Sequence, residues 1–116
     1  MRMLTAEQIL NELILDSRVF LHYTSSSGLS GIMKDGVIQT DGKYAVYFSQ
    51  EPMSPDDVHT KLLIGATTHE GRGTHLLVIR VDSGIPIETT GYHEVCVRQR
   101  IRLDQHMVLY HGPNPF

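Results

Sequence analysis

The chain has 116 residues, with a hydrophobic fraction of 41%, a charged fraction of 20% and a formal charge of −3. That length suits one small domain with a single core, and the acidic balance argues against a general binder of phosphate backbones, which carries a basic excess, while leaving room for a local basic site. The one cysteine, Cys96, excludes an internal disulfide and leans towards a reducing compartment.

The first stretch, "LTAEQILNELILDS", predicts a helix. Thr5 is placed to cap it, with Gln8 at the reciprocal capping-box position. Ile9, Leu10, Leu13 and Ile14 recur at helical spacing and are expected to face the core. Glu7 and Glu12 interrupt this apolar pattern, which argues against a signal peptide. "RVFLHYT" follows as a strand, because β-branched and aromatic residues suit a pleated surface. One of Ser25, Ser26 and Ser27 caps a second helix over "GLSGIMKD", and Gly36 stands where a left-handed C-terminus needs glycine.

"VIQT" and "AVYFS" predict two short strands joined by a turn at Asp41-Gly42. Ser54, Pro55, Asp56 and Asp57 open a third helix: a cap, a proline at the first position and acids at the positive dipole end. Val58, Leu62, Leu63 and Ala66 give that helix its apolar side. "THEGRGT" is a loop and "HLLVIRVD" the clearest strand, whereas "SGIPIETTGYH" is irregular, broken by Pro86 and its glycines. The last segment, "EVCVRQRIRLDQHMVLYH", predicts two strands around a turn near Asp104. No apolar run reaches the roughly 18 residues of a membrane span, so no membrane segment is expected. The sum is an α+β domain around a mostly antiparallel or mixed sheet.

Nucleotide motifs are lacking. "GRG" at 71–73 misses the third glycine of the dinucleotide fingerprint, and no P-loop lysine motif exists. Metal motifs are lacking too. His22, His59, His69, His75, His93, His106 and His111 are dispersed, with neither HExxH nor a Cys/His cluster. Cys96 sits inside an alternating strand and reads as a small buried hydrophobe. What remains is a set of polar residues at strand ends: His22, Tyr23 and Thr24, then Tyr47 and Ser49, then Glu94. Taken singly, each reads more simply as a structural residue.

Their order carries more than any one of them. "LHYTS", "GLSGIMKDGVI", "YAVYFS" and the late "HEVCV" together resemble the ADP-ribosyltransferase fold, in particular small bacterial toxin domains with a His-Tyr-Asp/Glu signature. The likeness is closest from Val19 to Ser49, and Glu94 is assigned by its strand-opening position. The resemblance implies a split sheet and a single domain, with an N-terminal helix over 1–17 and a catalytic core over 19–116. It implies NAD as co-substrate, held by His22, Tyr23, Thr24, Tyr47 and Ser49, and catalysis by His22, Tyr47 and Glu94.

In that scheme His22 fixes the ADP-ribose portion and the backbone at Tyr23 holds the carboxamide. Tyr47 stacks on the nicotinamide ring. Glu94 meets the ribose hydroxyls and opposes the charge of an oxocarbenium-like transition state.

Two positions depart from the family pattern. Val58 stands near the place of a second ring-stacking aromatic. Tyr92 stands where arginine-modifying relatives carry Glu or Gln. The implied partners are NAD, a macromolecular acceptor (protein or nucleic acid) and a cognate immunity protein, with action in the cytoplasm of a target cell after secretion or delivery. Four other readings stand beside this one. They are an NAD glycohydrolase, a non-catalytic binding module, a metal-free RNase toxin using His22 with Glu94 or another histidine, and an NAD-dependent RNA 2′-phosphotransferase, for whose arginine set the spacing of Arg72, Arg80, Arg98 and Arg100 is a poor match.

Overall fold

The computed structural model describes residues 4–40, 44–61, 73–91 and 93–116. In chain order the elements are α1 (Ala6–Leu15), β1 (Val19–Thr24), α2 (Ser26–Asp35), β2 (Val37–Ile38), β3 (Val46–Phe48), α3 (Pro55–Lys61), β4 (His75–Arg80), β5 (Glu88–Thr89), β6 (Val95–Val97), β7 (Ile101–Arg102), a 3-10 turn (Leu103–Gln105) and β8 (Met107–Pro113). The protein is an α+β fold. Its described strands form sheets ordered β1-β4-β8, β3-β6-β5 and β2-β7, and every pairing is antiparallel.

Local chemistry sets the helix ends. The Thr5 hydroxyl accepts from the Gln8 N–H at 3.2 Å while the Gln8 side chain accepts from the Thr5 N–H at 2.8 Å, completing the capping box. Ser25 is the cap of α2, accepting from the Gly28 N–H at 3.0 Å. That helix closes on Gly36 at φ 69°, a left-handed conformation that glycine adopts without a Cβ penalty. Ser54 caps α3 by accepting from the Asp57 N–H at 3.2 Å, with Asp56 and Asp57 in the first turn. Val58 is buried on this helix, whereas Leu62, Leu63 and Ala66 lie outside the described residues.

The central sheet is buried on both faces, and the period-two alternation of β1 and β4 sorts their side chains between them. Phe20, Leu77 and Ile79 join one core with Leu29, Phe48 and Ile101; Val19, Leu21, Leu76 and Val78 join the other with Ile9 and Tyr110. His22 and Thr24 share the parity of Phe20, so they belong to the face covered by α2 and β3. A bridge between Leu21 and Ser49, with backbone hydrogen bonds of 2.7 and 2.8 Å, couples β1 to β3 and so joins the two larger sheets.

Several expectations are corrected. "VIQT" and "AVYFS" do not form a hairpin: β2 pairs with β7 and β3 with β6. The Asp41-Gly42 turn lies outside the described residues. The chain end holds three strands, because β6 leaves its partner at Arg98 and β7 starts afresh on β2; the turn at Asp104 is the 3-10 segment. The stretch taken as irregular contains β5, paired to β6. In α1, Ile9 and Leu13 face the core, but Leu10 is exposed and Ile14 is 81% exposed. The helix lies at the margin of the sheet, and a narrow i, i+4 stripe is enough to seat it there.

One pairing makes stability depend on pH. The Asp82 N–H donates to His106 Nδ1 at 3.0 Å, a role that requires the lone pair at that nitrogen. Burial pushes the His106 pKa down, against the pull of Asp82 and Asp104 and with a smaller push from Arg18. The folded value lies below the unfolded one, near 6.5, so the unfolded chain binds more protons. This contribution is complete above about pH 6.5 and is lost as pH falls through the folded value. Urea midpoints at about pH 7.5 and about pH 5.5 should therefore differ more for wild type than for His106→Asn. Equal differences in the two proteins would contradict the assignment.

Candidate functional site

β1 runs out at Thr24, and α2 starts two residues later, so the last strand residues and the first helical turn form one corner. Above that corner lies a cavity of about 590 Å³, whose walls include His22, Tyr23, Thr24, Gly28, Ala45 and Tyr47. His22 is locked by its neighbours. Its Nδ1–H donates to the Tyr47 carbonyl at 2.8 Å, which assigns the proton to Nδ1 because a carbonyl only accepts. The edge of the ring meets Phe48, with centroids 5.7 Å apart at 63°. A hydrogen bond from β1 to β3 and an aromatic contact to the next residue thus fix the imidazole relative to Tyr47.

Thr24 is 7% exposed, and among the described residues no hydrogen bond reaches its hydroxyl. A buried hydroxyl without a partner is costly, and its place in a cavity wall suits a polar ligand group. Gly28 makes room for it: a Cβ on this residue would stand 2.3 Å from Thr24 Oγ1. The polar corner therefore depends on glycine in the first turn of α2.

Tyr23 points to the other face of β1. Its hydroxyl donates to the Glu51 carbonyl at 2.7 Å and accepts from the Met53 N–H at 2.8 Å, and burial raises its pKa well above the usual tyrosine value. Only the backbone of Tyr23 is available to a ligand in the sense its sequence neighbourhood implies. Its ring is a strut for the segment after β3.

Ser49 and Glu94 line a second cavity, of about 420 Å³, together with Glu51, His93 and Val95. Extending the β3–β6 register one step beyond Phe48 opposite Val95 sets Ser49 across from Glu94. Tyr47, in the wall of the first cavity, lies two residues before Ser49, in the wall of the second, with the same strand parity. The Ser49 hydroxyl accepts from the Glu51 N–H at 3.0 Å. Glu94 closes a turn on itself: its carbonyl accepts from the N–H groups of Thr90 and Gly91, and its carboxylate accepts from the Thr90 hydroxyl at 3.1 Å. His22, Tyr23, Thr24 and Tyr47 thus share one cavity, and Ser49 and Glu94 share the second. Val58, where a second stacking aromatic was considered, is 1% exposed and belongs to the interior, and Tyr92 lies outside the described residues.

Compared with protein-family models, curated proteins and solved structures, this chain matches none. The functional reading therefore rests on the residues themselves.

Two side chains in the second cavity had not been singled out. Glu51 accepts from Lys61 Nζ at 3.0 Å on one oxygen and pairs with His93 Nδ1 on the other. The Lys61 ammonium, followed by His93, holds the Glu51 carboxyl below its usual range. The visible signal was His93 itself, which directly precedes Glu94. Its partner stands 42 residues away, beyond any local pattern. Among the described residues no group of His, Cys, Asp and Glu is arranged to hold a metal ion.

Proposed function

We propose that the protein is an NAD-dependent ADP-ribosyltransferase of the toxin or effector kind, cleaving the nicotinamide–ribose bond and passing ADP-ribose to a macromolecular acceptor. The observation that carries this reading is the His22 Nδ1–H···O=C bond to Tyr47, made in the wall of a cavity large enough for much of a nucleotide. It joins two positions at which the sequence resembles the His-Tyr-Asp/Glu signature of ADP-ribosyltransferases. The unpartnered Thr24 hydroxyl and the room left by Gly28 fit a polar ligand in that cavity.

On this reading the nicotinamide packs on Tyr47, and the ribose extends along β3 towards Glu94 in the second cavity. Glu94 then opposes the positive charge that develops at the anomeric carbon. The two-cavity arrangement also discriminates. A ribonuclease using His22 and Glu94 needs both around a single phosphate, and these two residues line different cavities.

The test is incubation of the protein with labelled NAD and a cell lysate. Label should appear on a macromolecule with wild type, and Tyr47→Ala should reduce it by at least about tenfold, through lost stacking worth about 1.4 kcal/mol or more. Nicotinamide release without transfer would mean that water is the acceptor. RNA cleavage in the absence of any NAD turnover would overturn the proposal.

A further inference from the structure

The cluster Glu51–His93–Lys61 has no part in the reading above, yet its Glu51 and His93 line the cavity that holds Glu94. Lys61 occupies one Glu51 oxygen and keeps the carboxyl ionised; the other oxygen accepts the His93 Nδ1–H. That bond assigns the proton of neutral His93 to Nδ1 and leaves the lone pair on Nε2. Among the described residues no hydrogen bond reaches Nε2. Among the described residues the charged group paired with the ring is Glu51, from the segment after β3, with Lys61 of α3 behind its carboxylate, and Glu94 lines the same cavity. A carboxylate that orients an imidazole and stabilises its protonated form is the arrangement that makes histidine an effective base.

The segment is also braced from behind. Tyr23 accepts and donates across Glu51 and Met53, and the Ser49 hydroxyl accepts the Glu51 N–H. The base is thus tied through two neighbouring residues to β1 and β3, the strands that carry His22 and Tyr47.

We propose that the second cavity is the acceptor site and that His93, oriented by Glu51, is the general base that deprotonates a hydroxyl acceptor. This rests on the ADP-ribosyltransferase reading and names the acceptor's chemical class within it. The acceptor oxygen bonds to the anomeric carbon as the bond from that carbon to the nicotinamide nitrogen breaks. The bonding pair goes to nicotinamide, which leaves neutral. The hydroxyl proton moves to His93 Nε2, and the imidazolium, paired with Glu51, returns it to solvent. A guanidinium acceptor fits less well, because it would need a carboxylate to hold it: both Glu51 oxygens are engaged, and in the proposed reading Glu94 faces the ribose.

The experiment measures nicotinamide release and the product ratio, ADP-ribose to methyl ADP-ribose, from NAD in water–methanol mixtures. Wild type, His93→Gly and Glu51→Gln are compared, with NAD affinity measured separately. Wild type should transfer ADP-ribose to both oxygen nucleophiles, with kcat falling on the acid side. His93→Gly should lose about 10²–10⁴-fold in kcat with NAD affinity retained, lose the acid limb, and regain activity with added imidazole. Glu51→Gln should shift the acid limb, as expected of a positioning residue. Wild-type kcat and an unchanged acid limb in His93→Gly would overturn this proposal and leave the ADP-ribosyltransferase reading standing. A wild type that neither binds nor cleaves NAD would overturn both.

Discussion

Glu94→Gln should lower the rate of nicotinamide release from NAD by about 10²–10³-fold, the loss typical when one preorganised group facing developing charge is removed. The substitution keeps shape and hydrogen bonding. A glutamine carbonyl can still accept from the Thr90 hydroxyl, and the backbone turn from Thr90 to Glu94 does not involve the side chain. What disappears is the negative charge that, in the proposed reading, opposes the anomeric carbon. NAD affinity should change far less than kcat, because the residues proposed to hold the ring line the other cavity. Steady-state kinetics with a direct binding measurement separate the two. A variant that loses affinity and keeps kcat would make Glu94 a binding residue only, and a variant with wild-type values for both would remove it from the site.

Phe48→Ala should cost about 3–5 kcal/mol in folding stability, the range for truncating a buried phenylalanine. Phe48 is 2% exposed, sits in the larger core, and packs on Phe20 with ring centroids 5.8 Å apart. The same ring braces His22, so truncation also removes one constraint on the imidazole. Denaturant unfolding measures the first effect. If enough folded protein remains, the line widths and shifts of the His22 ring report the second. A loss below about 1 kcal/mol would mean that the core closes over the gap and that Phe48 does not hold the site.

Both predictions rely on parts of the fold that were unequally legible. The caps at Thr5, Ser25 and Ser54 and the left-handed Gly36 were readable because they depend on neighbours within three or four residues. Strands β1 and β4 were readable because both of their faces are buried and they carry long apolar runs. The pairing of β2 with β7 was not, since it joins segments more than sixty residues apart through two short strands. Ile14 misled for a related reason: helical periodicity shows that a stripe exists, and only tertiary packing shows how wide it is.

The candidate site follows the same division. The order of motifs put His22, Thr24 and Tyr47 in one site, and they line one cavity; that His22 is clamped by the Tyr47 carbonyl required the β1–β3 bridge. The Glu51–His93 pair had no local signature. Its members meet only because the segment after β3 and the segment before β6 flank the same cavity.

The most direct test of the account is a titration of the ¹⁵N-labelled protein with NAD, following backbone and histidine ring resonances while assaying free nicotinamide. The account predicts saturable shifts centred on His22, Thr24, Gly28 and Tyr47, extending to Ser49 and Glu94, with nicotinamide accumulating. An unchanged spectrum at saturating NAD, with no nicotinamide formed, would contradict it.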